Sequence, residues 1–553
     1  MNNRIVITLF VVASCLASGL ALAETPYQAC DTKITLPLEV WSSGWSQDYT
    51  QQRMYSEEQA GLTAADLPKL EVAWTFAFKD TQQLRSLPAV TAQAIFIGSD
   101  EGVYALDTRS GCGYWRFQSG SQIRTAITIG HFIEQGGDKW LLFFGDSKAN
   151  AYAIDAENGE LVWKQKLDNE NLSVITGSPV VYEENVFFPV SSWEVGLAGL
   201  PWYSCCKFRG SLNSVNALTG KLNWKSFSIP GEPQPTYRNM FGAYQYGPSG
   251  AGLWSAPTID VKRQRIYIGS GENYSSPAEA HSDALIAFDL HTGKQVWSKQ
   301  VLAEDAWNGS CGRLMPGMNC PKENGQDYDI GATTILVTRK SDGKDIILAG
   351  AKSGMAYAMD PDKQGEILWQ NSVGRGGLVG GIHWGMAADS EYLYAPVADT
   401  NVDIVRKVPG APRPGLSKIR LGDGERVWFT STLENCNDAD GKPKANCRPG
   451  LSAAITGIPG AILAPALDGY LRAFDPETGK EIWKMDTTQT VAGVNGVEGH
   501  GGTMDAGGVV VTHGMMLFTS GYGGFISIGS KGGNVFYVMK KKAVSPPGQP
   551  VIR

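Results

Sequence analysis

The sequence predicts an all-β protein: an eight-bladed β-propeller of four-stranded antiparallel blades, its ring closed by strands from the two chain ends. Three observations carry this expectation. A motif ending in Trp recurs along the chain. The composition combines 66 Gly with 16 Trp and 10% aromatic residues, suited to many turns between aromatic-rich strands. The two chain ends each hold only part of a copy of the motif.

The repeat has the form apolar-x-Ala-apolar-Asp, a turn containing Gly, then a strand reaching Trp. Full copies are VYALDTRSGCGYW, AYAIDAENGELVW, LIAFDLHTGKQVW, AYAMDPDKQGEILW and LRAFDPETGKEIW, ending at Trp115, Trp163, Trp297, Trp369 and Trp483. Weaker copies, SVNALTGKLNW and KIRLGDGERVW, end at Trp224 and Trp428, and LEVAW supplies Trp74. Each copy reads as a hairpin whose Asp can accept hydrogen bonds from the turn backbone. A Trp at one fixed place can pack between adjacent sheets and bury a large apolar area. The interval between successive Trp residues runs from 41 (Trp74 to Trp115) to 73 (Trp224 to Trp297), so the longer blades have room for loops. The arm through Trp74 lacks its hairpin partner, and the strands from Gly521 to Met539 lack a terminal Trp. Joined, they make one blade and leave no exposed terminal edge.

Residues 1–23 read as a cleaved export signal: Arg4, an apolar run from Ile5 to Leu22, and Ala21-Leu22-Ala23 before Glu24. Val12-Ala13-Ser14-Cys15 offers a lipoprotein signal as the alternative. Residues 24–553 are then one exported domain, with a periplasmic location expected and no further apolar stretch long enough to span a bilayer. Net charge is −7 with no basic run, which argues against nucleic acid as a partner. The remaining eight cysteines suit an oxidising compartment. Cys311–Cys320 and Cys436–Cys447 would close short loops, and Cys30–Cys112 would tie the N-terminal arm to an early blade; spacing alone leaves the connectivity open. No C-x-x-C-H occurs, so no covalent c-type haem is expected.

Between the repeats stand AGLTAADLPKLEVAWTF, IRTAITIG, ITGSPVV, SSWE, CCKFRGS, GSGENYS, DAWN, AGAKSG, VNGVEGHGG and SGYGGF. In this order the chain resembles the quinoprotein alcohol dehydrogenases, whose cofactor is pyrroloquinoline quinone (PQQ), and within them the polyvinyl-alcohol dehydrogenase branch. The resemblance implies a PQQ- and Ca²⁺-dependent dehydrogenase acting on a secondary or polymeric alcohol, with a separate periplasmic cytochrome c as electron acceptor. It implies Glu194 and Asn273 as metal ligands, with Glu272 adjacent. Trp254 would stack on the quinone and Lys352 would reach its reactive carbonyl. Arg124, Arg85, Thr176 and Ser192 would complete the cofactor site, with Cys205 and Cys206 as a neighbouring-cysteine pair that here follows Glu194, where the family's pair over the quinone lies on another loop nearer the arginine region. The family's base, read at the DAWN motif, falls on Asn308, an amide, so the role passes to Asp305 as the nearest carboxylate. The extra Asp of lanthanide-dependent relatives, counted two positions on, falls on Ser310, which favours calcium. Two rival readings are a non-catalytic propeller scaffold for outer-membrane protein assembly and a quinoprotein for another alcohol or a sugar.

Overall fold

The computed structural model describes residues 27–79, 81–311, 317–399, 408–436, 447–523 and 530–542. The expected export signal, including Cys15, lies outside these residues. Eight antiparallel sheets of four or five strands make the eight blades. In blades 1 to 7 the chain runs outward, so each Trp motif forms the outermost hairpin. Blade 2 shows the pattern, with Thr128–Glu134, Gly137–Gly145, Asn150–Asp155 and Leu161–Lys166 in order. Blade 8 takes Val509–Thr512, Met515–Ser520 and Val535–Lys541 from the C-terminal side and Leu70–Ala77 as its outer strand. Leu70 pairs with Lys541 and Ala77 with Val535. The expected closure by both chain ends is therefore present.

All eight motif Trp residues lie on outermost strands: Trp74, Trp115, Trp163, Trp224, Trp297, Trp369, Trp428 and Trp483. Their common register explains what they do. The indole of one blade lies against the hairpin turn of the next. Trp163 packs on Gly220, whose φ of +71° and absent side chain allow the approach; a Cβ there would sit 2.7 Å from the ring. The Trp163 Nε1 donates to the Ala217 carbonyl of that turn at 2.7 Å, and Trp369 does the same to Leu421 at 2.9 Å. The motif Asp secures the turn from inside: the Asp155 carboxylate accepts from the Glu157 N–H at 2.8 Å and Asp475 from Glu477 at 2.8 Å. Trp483 is the exception. The next outer strand comes from the far end of the chain, so no hairpin turn joins it to its neighbour.

A second ring is built by the N-terminal segment. Residues 40–55 travel round the axis and touch the innermost strands in turn. Val40–Ser42 pairs with blade 1. Gly44 N donates to Ile127 O of blade 2, and Ile259 of blade 4, Leu336 of blade 5 and Ala388 of blade 6 donate to the Tyr49, Thr50 and Gln52 carbonyls. Arg53 ends the circuit, buried, donating to the carbonyls of Trp45, Ile455 and Gly507 and to the Thr456 hydroxyl. This belt closes one end of the central channel.

The four cysteine pairs Cys30–Cys112, Cys205–Cys206, Cys311–Cys320 and Cys436–Cys447 are disulfide-bonded. Removing a docked indole leaves a cavity between two sheets. Trp163→Ala is therefore expected to cost about 3–5 kcal/mol, and Trp483→Ala distinctly less, read as shifts of the urea unfolding midpoint. Equal losses would show that docking on the turn is not what holds adjacent blades.

Candidate functional site

The repeat also sets the site. Counting four residues back from the start of each innermost strand gives Arg85, Arg124, Thr176, Trp254, Gly331, His383, Ser452 and Asp505 for blades 1 to 8. These positions are equivalent by the pseudo-symmetry, so they face one mouth of the channel, opposite the belt. Contacts join them. His383 Nδ1 and Ser452 Oγ are 2.8 Å apart. The His383 and Trp254 rings are 5.7 Å apart and nearly perpendicular. Gly331 is small because Trp254 needs the space: a Cβ there would lie 2.3 Å from the indole. Thr176, half-buried, fills the blade 3 slot.

One side of the mouth is basic. The Arg124 guanidinium lies 4.5 Å from the Trp384 ring centre and 5.8 Å from that of Tyr522. Arg85 lies 4.3 Å from the Tyr522 ring. The Nε of each is buried with no hydrogen-bond partner among the described residues. Burial, and then the charge of Arg85, bring the Arg124 guanidinium down to about 10 against the pull of Tyr522 and of the Asp505 carboxylate, which offsets part of the positive charge on this side. Two half-buried guanidinium groups, each with an Nε–H to spare, suit an anionic ligand such as a carboxylate.

The other side is acidic. Glu272, Asp327 and Asp329 are buried, and each offers a carboxylate oxygen within 4.8 Å of the others. Lys352, at the end of the blade 5 strand Asp345–Gly350, places Nζ 2.5 Å from Asp327 and 2.9 Å from Asp329. Trp254 Nε1 donates to Asp329 at 2.9 Å and Glu272 N donates to it at 3.2 Å. Burial pushes the Glu272 and Asp327 carboxyls well up. Burial works the same way on Asp329, but the Lys352 ammonium and neighbouring hydrogen bonds outweigh it and hold it at about 2. His383 lies between the two sides, brought down to about 3 by burial and then by the charges of Lys352 and Arg124.

The residues expected from sequence divide accordingly. Arg85, Arg124, Thr176, Trp254 and Lys352 come together at the mouth. Glu194 and Asn273 stand outside the carboxylate group. The Glu194 carboxylate accepts from Lys207 N at 3.0 Å, Phe208 N at 2.9 Å and the Tyr203 hydroxyl at 3.1 Å. The Asn273 amide accepts from Glu279 N at 2.8 Å and donates to Ser249 O at 3.0 Å. Ser192 donates to Glu170 and accepts from Glu194 N, so it pins that turn. The Cys205–Cys206 disulfide is buried directly before the two N–H groups that hold Glu194. Asp305 is also spoken for: its oxygens accept from the N–H of Gln326, Asp327 and Tyr328 at 2.7, 3.1 and 2.9 Å. It holds the loop that presents Asp327 and Asp329. Asn308 ties loops together, donating to the Tyr274 and Asn319 carbonyls at 2.8 Å each. Asp327, Asp329, His383, Trp384, Ser452, Asp505 and Tyr522 were missed by sequence reading, although the count of four from each inner strand would have found His383, Ser452 and Asp505.

A PQQ family model described as glucose/ethanol/alcohol dehydrogenase, beta-propeller domain, matches residues 41–312. The chain is 36% identical over 488 residues to the polyvinylalcohol dehydrogenase of a Pseudomonas species, covering 87% of this chain and 73% of that one. It is also 36% identical over 488 residues to the polyvinylalcohol dehydrogenase of Sphingopyxis sp. strain 113P3, covering 87% and 72%. Among solved structures, the quinohemoprotein alcohol dehydrogenase of Comamonas testosteroni superposes with a TM-score of 0.64 at 18% identity, over 93% of this chain and 82% of that one. The chain thus belongs to the PQQ-dependent alcohol dehydrogenases, a family of oxidoreductases.

Proposed function

We propose that this protein is an exported, periplasmic dehydrogenase that binds PQQ and calcium, oxidises a secondary or polymeric alcohol such as polyvinyl alcohol, and passes electrons to a separate cytochrome c. The observation that carries the reading is the charge-separated mouth: Arg85 and Arg124, each with an Nε that has no partner among the described residues, lie across the Trp384 and Trp254 rings from three clustered carboxylates. A scaffold has no use for such buried charge, which is costly without a ligand.

The donor set fits the cofactors. Arg85 and Arg124 would hold cofactor carboxylates, and Trp254 would support the flat ring. Glu272 and Asp329 would hold a hard cation through oxygen, with Asp327 paired to Lys352 beside them. With Lys352 the ionised group carries a net −2, which a divalent ion balances. When bound, the quinone supplies the two-electron acceptor and the cation polarises its carbonyl.

The protein's own part is proton handling and positioning. Asp327 is the base: it is buried at the mouth beside the other two carboxylates, and it is held by the Lys352 ammonium, where Asp305 is held by three backbone N–H groups. Asp305, assigned this role from sequence, has its oxygens occupied by three N–H groups and acts by fixing the loop. Lys352 steadies the Asp327 carboxylate and would offer positive charge to the cofactor's reacting carbonyl. The Trp384 and Tyr522 rings wall the basic side from water.

The spacing of the two aspartates supports a second reading of the metal. Counted from Asp327, the residue two positions on is Asp329, so the acidic residue that counting from Asn308 missed is present. A trivalent ion then competes with calcium.

Asp327→Asn is expected to lower dye-linked turnover by about 10²–10⁴-fold while quinone binding, followed by absorbance titration, persists. Asp305→Asn keeps an acceptor oxygen for its loop and should retain much of the activity; an inactive Asp305→Asn beside an active Asp327→Asn would reverse the assignment. Chelation should abolish turnover of the PQQ-loaded enzyme. Restoration by Ca²⁺ but not La³⁺ supports the calcium reading, and restoration by La³⁺ alone overturns it.

A further inference from the structure

Outside the channel, one surface stands apart from the rest of the molecule. Six aromatic side chains are strongly exposed among the described residues, and five of them, Trp193, Trp202, Tyr237, Phe241 and Tyr244, fall between positions 193 and 244. Met240 joins them at 82% exposure, with Trp202 at 68% and Phe241 at 58%. Tyr237 and Tyr244 sit on a two-stranded hairpin, Gln234–Arg238 and Tyr244–Gly247, that belongs to no blade. Met240 and Phe241 form its tip. The hairpin is not loose. Asn239 donates to Pro201 O at 2.6 Å and to Asn319 Oδ1 at 2.7 Å, which sets the tip beside Trp202. Tyr244 N donates to Ser204 Oγ at 3.3 Å, and Gln245 bridges to Cys205.

These ties lead to the site. Asn319 accepts from Gln245 at 2.9 Å, and its backbone carbonyl accepts from Asn308 in the loop that carries Asp305. The segment bearing Trp202 runs into the Lys207 and Phe208 N–H groups that hold Glu194. An isolated apolar surface of this size needs an occupant. Its charge decides which. Arg238 lies 3.8 Å from the Tyr244 ring centre and Lys207 4.3 Å from that of Tyr246. The nearby carboxylate, Glu232, is 4.0 Å from Arg209. The chain as a whole is acidic at −7, so a basic partner protein would be drawn elsewhere and repelled here. A neutral chain of alternating methylene and carbinol groups meets both needs, laying its CH faces on the aromatics and its hydroxyls on the polar edges.

We propose that this platform binds an extended, uncharged polyol chain and leads it to the channel mouth. The inference rests on the substrate reading above and names where that substrate is held. The strands of the hairpin span about 17 Å, enough for several repeat units, so the surface acts on polymers and is indifferent to small alcohols.

The test uses the full mature protein loaded with PQQ and Ca²⁺, with polyvinyl alcohol and a small secondary alcohol as paired substrates. In the Trp202→Ala/Phe241→Ala double variant, KM for the polymer should rise about tenfold, with kcat and the small-alcohol KM unchanged. The cofactor-free wild type should be retarded in gels containing polyvinyl alcohol and the double variant should not. An unchanged polymer KM, or equal changes for both substrates, overturns the proposal. So does a variant that loses cytochrome c reduction while keeping dye-linked turnover of polymer, since the platform would then belong to the electron acceptor. Retardation of the wild type alone, without polymer turnover, supports the surface and overturns only the substrate reading.

Discussion

Eight sheets can share one axis only if each meets its neighbour in the same way, and the docking of an indole on the next blade's turn meets that demand. It combines a large buried apolar area with a hydrogen bond from Nε1 to a turn carbonyl. A turn glycine is part of the same contact, because any Cβ would stand where the ring lies. The contact lies at the rim and uses only the outer hairpin. The remainder of each blade can therefore vary in length, and the long connections of blades 3 to 5 carry Glu194, the Cys205–Cys206 pair, Glu272 and the loop of Asp327. Adjacent blades stay in register while the loops above them change.

Pseudo-symmetry then turns a geometric ring into a chemical one. Eight equivalent entry positions face the mouth, yet no two neighbours except Arg85 and Arg124 carry the same residue. Positive charge gathers at blades 1 and 2, and the acidic group forms between blades 4 and 5. Charges this buried are expensive when alone. On the acidic side Lys352 offsets part of the cost; on the basic side the aromatic faces of Trp384 and Tyr522 offset part of it. The balance on each side is left for what binds there.

Much of this was legible in the chain. The repeat of a turn Gly followed by Trp, with an Asp before the turn in the full copies, marked seven outer hairpins and the closure of the eighth blade, because those contacts are the same each time. Arg85, Arg124, Trp254 and Lys352 were legible because each stands next to a regular strand. The carboxylates were not. Asp305 and Asp327 lie in an irregular stretch before blade 5, where spacing along the chain says little about proximity, and the hydrogen bonds that distinguish the two, three N–H groups on Asp305, appear only in the fold. Glu272 and Asn273 differ by one position, which in extended chain is the difference between opposite faces. Asn273 turns towards Ser249 and Glu279, and Glu272 turns towards Asp329.

The belt of residues 40–55 bears on how such a molecule comes to exist. Its contacts reach inner strands separated from it by hundreds of positions, as Gln51 does to Pro257 and Arg53 to Ile455 and Gly507. The outer strand of blade 8 waits in the same way for Val535–Lys541. Arg53 and the outer strand of blade 8 therefore remain without these partners until residues hundreds of positions further on arrive. Folding dominated by such distant contacts is slow, because loop closure must precede its reward. However early the separate blades form, such a ring can close only once Val535–Lys541 has met Leu70–Ala77.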